Sequence, residues 1–136
     1  MKVTEKIAVL RNLMQQDGID YYYIPTNDFH GSEYVADYFK CREYMSGFTG
    51  SAGSLLVSAT EAGLWTDGRY FLQAEAQLAG SGITLYRMGE PGVPKTLNTL
   101  RSIFSRGSVL ALTDVWWMRF MRCSSKRLWR AREHVL

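Results

Sequence analysis

A chain of 136 residues that is 46% apolar and 21% charged has the size and composition of one globular domain able to bury a core. It holds no run approaching the ~18 apolar residues of a membrane span, and its first residues, "MKVTEKIAVLRNLMQQDG", break any apolar run with charges, unlike a secretory leader. The net charge of +3 is unevenly placed: residues 1–100 carry 8 Lys/Arg against 11 Asp/Glu, a balance of −3, and residues 101–136 carry 8 against 2, a balance of +6.

In chain order, Thr4 reads as an N-cap, and Ile7, Leu10, Leu13 and Met14 recur at helical spacing until Gly18 stops the helix. "IDYYYIP" is rich in β-branched and aromatic residues and closes on a proline, the pattern of a strand. "TNDFHGS" is a polar loop. "SEYVADYFKCREYM" places Tyr34, Val35, Tyr38 and Phe39 on one helical stripe. After the glycine loop "SGFTGSAG", the short apolar runs "SLLVSA" and "AGLWT" flank a polar turn, which predicts a hairpin. "RYFLQAEAQLAG" is a helix ending in glycine, "ITLYRM" a strand, "GEPGVP" a loop, "KTLNTLRSIF" a helix and "SVLAL" a last strand. This alternation predicts an α/β domain over residues 1–110, with helices packed on a sheet that the hairpin makes mixed.

Residues 111–136 form an atypical basic tail that holds Trp116, Trp117 and Trp129. Basic, aromatic composition suits a nucleic-acid or acidic-lipid contact. A solvated helix face accounts for the charge equally well, and no nucleic-acid or membrane partner is expected. A third reading is a shifted frame from about residue 111. Thr-Asp-Val-Trp-Trp-Met-Arg (113–119) can be encoded so that a two-base shift yields Gly-Arg-Val-Val-Asp-Ala. Cys41 and Cys123 are expected to be free thiols of a cytoplasmic protein. His30 and His134 have no metal-ligand spacing to either cysteine, so no metal site is expected.

Three stretches invite a chemical reading. The glycines of "GFTGSAG", at 47, 50 and 53, resemble a phosphate cradle, but the Lys-Ser/Thr of a P-loop is missing and a strand follows instead of a helix. Close backbone packing at a strand entrance is the simpler account. "NDFHGSEY" gathers Asp28, His30, Ser32 and Glu33, yet no G-x-S-x-G elbow accompanies them. Ser32 and Glu33 suit a helix start, leaving Asp28 and His30 as candidate ligand contacts. In "LWTDGRYF", a strand runs into Asp-Gly and a helix follows. Asp67 is placed to cap that helix, Gly68 to turn the backbone, and Arg69 to stand at a sheet edge where open α/β folds bind ligands. An ion pair with a local carboxylate is the competing role for Arg69.

Taken together, "SEYVA", "SGFTGSAG", "WTDGRYFLQA" and "MGEPGVP" occur in an order that resembles the N-terminal domain of Xaa-Pro aminopeptidases (aminopeptidase P) of the creatinase/prolidase family, and most closely the three-domain cytosolic type. The resemblance covers about residues 7–105. It implies a ribonuclease-H-like mixed sheet with helices on both faces. It also implies an enzyme that removes the N-terminal residue preceding proline, using two divalent metals, usually manganese, to activate water. Their ligands, two Asp, one His and two Glu, belong in this family to a C-terminal "pita-bread" domain. Only 31 residues follow residue 105 here, with Asp114, Glu133 and His134 as hard ligands, too few for that set. The resemblance therefore implies a non-catalytic N-terminal unit with no cofactor of its own. Such a unit helps form a peptide-substrate cleft and takes part in homodimer contacts. The arginine of "TDGRY" carries a substrate-facing role over to Arg69, and the "D-x-H" before "SEY" carries one to Asp28 and His30. A free-standing peptide- or protein-binding module without peptidase activity is the alternative.

Overall fold

The computed structural model describes residues 1–26 and 40–113. Helix α1 (Val3–Asp17) leads into strand β1 (Tyr21–Pro25), and α2 (Cys41–Ser46) precedes the hairpin β2 (Ser54–Ser58) and β3 (Ala62–Thr66). A 3₁₀ turn (Gly68–Tyr70) runs directly into α3 (Phe71–Leu78), followed by β4 (Thr84–Arg87), α4 (Thr96–Ser105) and β5 (Leu110–Leu112). The stripe Tyr34, Val35, Tyr38 and Phe39, the candidates Asp28 and His30, and all of the tail beyond residue 113 lie outside the described residues.

Thr4 does not cap α1. The cap is Lys2, two residues earlier, and its backbone N–H donates to the Glu5 carboxylate at 2.9 Å, which ties down the first turn. Ile7, Leu10 and Met14 are buried, whereas Leu13 faces outward. Gly18 ends the helix in the left-handed region (φ 66°), as its position predicted.

The sheet order is β4-β3-β2-β1-β5. β2 runs antiparallel to both β1 and β3, while β1–β5 and β3–β4 are parallel. Four strands therefore point the same way and β2 alone is reversed, which is the mixed sheet expected. The strand period of two sorts the apolar residues onto two faces. Ile24, Leu55, Val57 and Leu64 pack with α1, α2 and α3, around Ile7, Met14, Phe48, Ala74 and Leu78. Tyr23, Leu56 and Trp65 face the other way and meet Leu100 and Ile103 of α4, with Leu110 and Leu112. Helices thus cover both faces. Fully burying each large apolar side chain contributes roughly 1.5–3 kcal/mol, so each face carries a substantial share of the stability.

This topology brings the carboxyl ends of β1, β3, β4 and β5 to one edge, beside the entrance to β2. The glycine loop 47–53 and the "TDGRY" turn share that edge. So does Thr26, the last described residue before 27–39, whose hydroxyl donates to the Gly53 carbonyl. No helix among the described residues is long and apolar enough to cross a membrane.

Candidate functional site

The edge is built on β3, whose five residues are all buried. The chain leaves the sheet at Asp67, whose backbone is extended (φ −90°, ψ 171°) and whose carboxylate accepts the Arg69 N–H at 3.1 Å, capping the 3₁₀ turn. Gly68 has no left-handed backbone, and an added Cβ would meet nothing closer than Phe71 at 3.9 Å. The turn is therefore set by the Asp67 cap and does not need the conformational freedom of glycine. That corrects the role expected for Gly68.

Arg69 and Asp67 form a fork. Nε donates to Oδ1 at 3.0 Å and Nη2 to Oδ2 at 2.8 Å. The Arg69 side chain is nonetheless 70% exposed. It is thus both solvent-facing and ion-paired with a local carboxylate. The hydrogen bonds from Arg69 hold the Asp67 carboxyl below its ordinary range. Asp67 occupies only one edge of a planar group with five donors, so the outer N–H groups face solvent. The fork pre-orients them, and their natural acceptors are a carbonyl or carboxylate. The guanidinium also lies 5.2 Å from the centre of the Tyr70 ring.

Tyr70 connects this turn to the glycine loop. Its hydroxyl is 2.6 Å from Ser51 Oγ, and its ring meets Phe48 edge-on at 6.0 Å. Thr49 docks on α3: its N–H donates to Gln77 Oε1 at 3.0 Å, and its hydroxyl accepts from Gln73 and Gln77, each at 2.9 Å. The Thr66 hydroxyl donates to the Ala52 carbonyl at 2.7 Å. The loop is fastened along its length to β3, the turn and α3. Close packing also explains its glycines. A Cβ on Gly50 would lie 2.3 Å from the Phe48 ring, and one on Gly53 would lie 2.8 Å from the Trp65 carbonyl oxygen. The packing account of this loop therefore holds over the phosphate cradle.

Sequence reasoning missed the residue beneath the loop. Arg42 is 3% exposed. Its Nη1 donates to the Phe48 carbonyl at 3.1 Å, Nη2 donates to the Gly50 carbonyl, and its Nε has no hydrogen-bond partner among the described residues. Burial pushes the guanidinium down to about 10, so it stays charged at neutral pH. An arginine four residues before Ser46 reads from sequence as an exposed helical charge, and nothing in its spacing signals burial. Cys41, next to it, is a free thiol whose burial pushes its pKa up, away from reactivity.

The described residues contain no histidine and no group of three His, Cys, Asp or Glu side chains able to hold a metal ion. They therefore do not fit a dinuclear metal centre. Arg69 stands at the edge as expected. Asp28 and His30 lie outside the described residues.

The family model for the Creatinase/Prolidase N-terminal domain matches residues 6–126. Over 107 residues the chain is 49% identical to "Aminopeptidase P2" of Arabidopsis thaliana, covering 77% of this chain and 15% of that protein. It is 50% identical over 91 residues to "Probable Xaa-Pro aminopeptidase P" of Talaromyces marneffei, covering 67% of this chain and 14% of the other. Among solved structures it resembles the X-prolyl aminopeptidase of Caenorhabditis elegans, described as a cytosolic enzyme with a di-nuclear active site, at 37% identity and TM-score 0.72. That superposition covers 82% of this chain and 20% of the enzyme. The Xaa-Pro dipeptidase of Bacillus anthracis shares the fold at 21% identity and TM-score 0.51, covering 88% of this chain and 36% of that one. The chain thus spans about 15% of the length of these curated aminopeptidases.

Proposed function

The chain belongs to the creatinase/prolidase N-terminal domain family, and from that premise we propose that it is the non-catalytic front unit of a metal-dependent Xaa-Pro aminopeptidase. One observation carries this reading: the family match spans residues 6–126, while the chain accounts for only 15% of a relative with which it is 49% identical. The bond-breaking chemistry then resides in a separate catalytic domain, where two divalent metals, manganese in this reading, activate water for attack on the peptide bond before proline.

In this reading the front unit supplies one wall of the substrate cleft. Arg69 is the contact residue, with Asp28 and His30 as further contacts on the segment that leaves the same sheet edge at Thr26. Charge and geometry support the choice of Arg69. A guanidinium already held by Asp67 needs little further ordering to receive a peptide carbonyl or carboxylate. The unit also takes part in homodimer contacts, and the assembled enzyme works in the cytoplasm.

Two experiments test the proposal. Sequencing the transcript past codon 136 should reveal, in one frame, a peptidase domain with two Asp, one His and two Glu as metal ligands. Stops in every frame overturn the reading and leave a free-standing peptide- or protein-binding module. In the joined enzyme, Arg69→Ala should raise KM for Xaa-Pro peptides by roughly 10- to 150-fold, as expected when a charge-assisted hydrogen bond worth ~1.5–3 kcal/mol is lost. An unchanged KM removes Arg69 from the cleft.

A further inference from the structure

We propose that Arg42 is a positioning residue, whose buried guanidinium clamps the glycine loop and, through Ser51, fixes Tyr70 and the Arg69 fork at the sheet edge. The inference rests on the reading of that edge as the substrate side.

Burying a cation is expensive unless it is paired, and a well-packed apolar side chain would fill the same space at lower cost. No carboxylate bonds Arg42 among the described residues. Its Nη1 and Nη2 groups donate to backbone carbonyls instead, those of Phe48 and Gly50, two residues apart in the loop. Its guanidinium also lies 4.8 Å from the centre of the Phe48 ring. What a planar fork supplies, and an apolar chain cannot, is a fixed spacing and orientation for two carbonyls.

That orientation propagates outward. With its carbonyls at 48 and 50 turned down onto Arg42, the loop presents Thr49 to α3 and Ser51 to Tyr70. Gly50 makes the approach feasible, because any Cβ there would overlap the Phe48 ring. Ser46 secures the base of the clamp. Its hydroxyl donates to the Arg42 carbonyl at 2.7 Å and accepts the Phe48 N–H at 3.1 Å. The chain of contacts runs from Arg42 through the loop to Ser51, then to Tyr70, whose ring lies against the Arg69 guanidinium.

The test reads Arg69 itself, by NMR on the full 136-residue chain. The Arg69 Nε–H proton is protected by Asp67, and its exchange with water reports how well the fork is held. Arg42→Met should speed that exchange about tenfold, the size expected for loosening one charge-assisted hydrogen bond. Arg42→Lys, which keeps a charge but not the fork, should recover only part of the protection. Ile103→Val, on the opposite face, should leave exchange unchanged even though it lowers stability. A cycle closes the argument: adding Arg42→Lys to Ser51→Ala should produce no further loosening if the effect travels through Ser51. Unchanged Arg69 exchange in folded Arg42→Met overturns the proposal, as does an equal effect in Ile103→Val. If Arg42→Met fails to fold, the Lys cycle decides, and additive effects overturn the proposal. No peptide enters these measurements, so their failure is distinct from an Arg69→Ala enzyme whose KM is unchanged.

Discussion

The Tyr70 hydroxyl and Ser51 Oγ meet at 2.6 Å, the one hydrogen bond between side chains that joins the "TDGRY" turn to the glycine loop among the described residues. Nineteen residues separate the pair in sequence, yet both flank the two strands of one hairpin. The register of β2 and β3, with Ser54 opposite Trp65, brings the loop before one strand beside the turn after the other.

Tyr70→Phe should therefore separate hydrogen bonding from packing. The ring keeps its edge-on contact with Phe48, and only the hydroxyl is lost. Because both partners are near solvent, the expected cost is about 0.5–1.5 kcal/mol. Tyr70→Ala, which also removes the ring, should cost clearly more. Urea denaturation of the two variants makes the comparison, and equal losses would mean that the ring contributes nothing.

Asp67 should titrate below the usual carboxylate range, and Arg69→Gln should bring it back toward ~3.9. The sign follows from linkage. A carboxyl whose folded pKa is depressed adds stability above its unfolded value, and that stability is lost as pH falls through the folded value. The Arg69 hydrogen bonds are the largest cause of the shift, so the variant should lose less stability on acidification than the parent. The fork is solvent-screened, so the melting temperature at neutral pH should change little. Carboxyl NMR shifts against pH decide the matter: an unshifted Asp67 in the parent rules out the fork in solution.

Gly50→Ala should be destabilising by about 1–3 kcal/mol, the usual cost of overpacking a well-filled site. The new Cβ would lie 2.3 Å from the Phe48 ring, and Phe48 is fully buried with no room to withdraw. Gly68→Ala is the control. Its nearest neighbour is 3.9 Å away and its backbone is not left-handed, so it should be nearly neutral. Chemical denaturation that ranks Gly68→Ala as the worse substitution would refute this view of the loop.

Much of this architecture is written locally. The short apolar runs "SLLVSA" and "AGLWT" on either side of a polar turn predict the hairpin, and Gly18 and Asp67 mark helix boundaries by cap chemistry that acts over a few residues. The pairing of β1 with β2 is not local. The β1–α2–β2 connection returns antiparallel, whereas strands alternating with helices suggest parallel neighbours, and only the whole sheet settles that. Arg69 is legible because its sequence neighbours build its site. Arg42 is not, because its burial depends on the Phe48 and Gly50 carbonyls that the loop brings back over α2. Thr4 misleads because the helix starts two residues earlier, at the Lys2 cap, where the Glu5 carboxylate accepts the Lys2 N–H.

The chain on its own should not release arginine from Arg-Pro-Pro, with or without added manganese. Water activation by two metals needs several hard ligands converging on one point. Among the described residues no three such side chains converge. Asp28, His30, Glu33, Asp37, Asp114, Glu133 and His134 lie outside the described residues, and in the proposed reading the ligand set belongs to a separate catalytic domain. Arg69, Tyr70 and Ser51 offer hydrogen bonds but no base: among the described residues, the only side chain bonded to Ser51 is the Tyr70 phenol. Arginine release should therefore stay at the uncatalysed level at every manganese concentration. Release that scales with the chain, survives further purification and disappears with a chelator would show that the ligands are present after all.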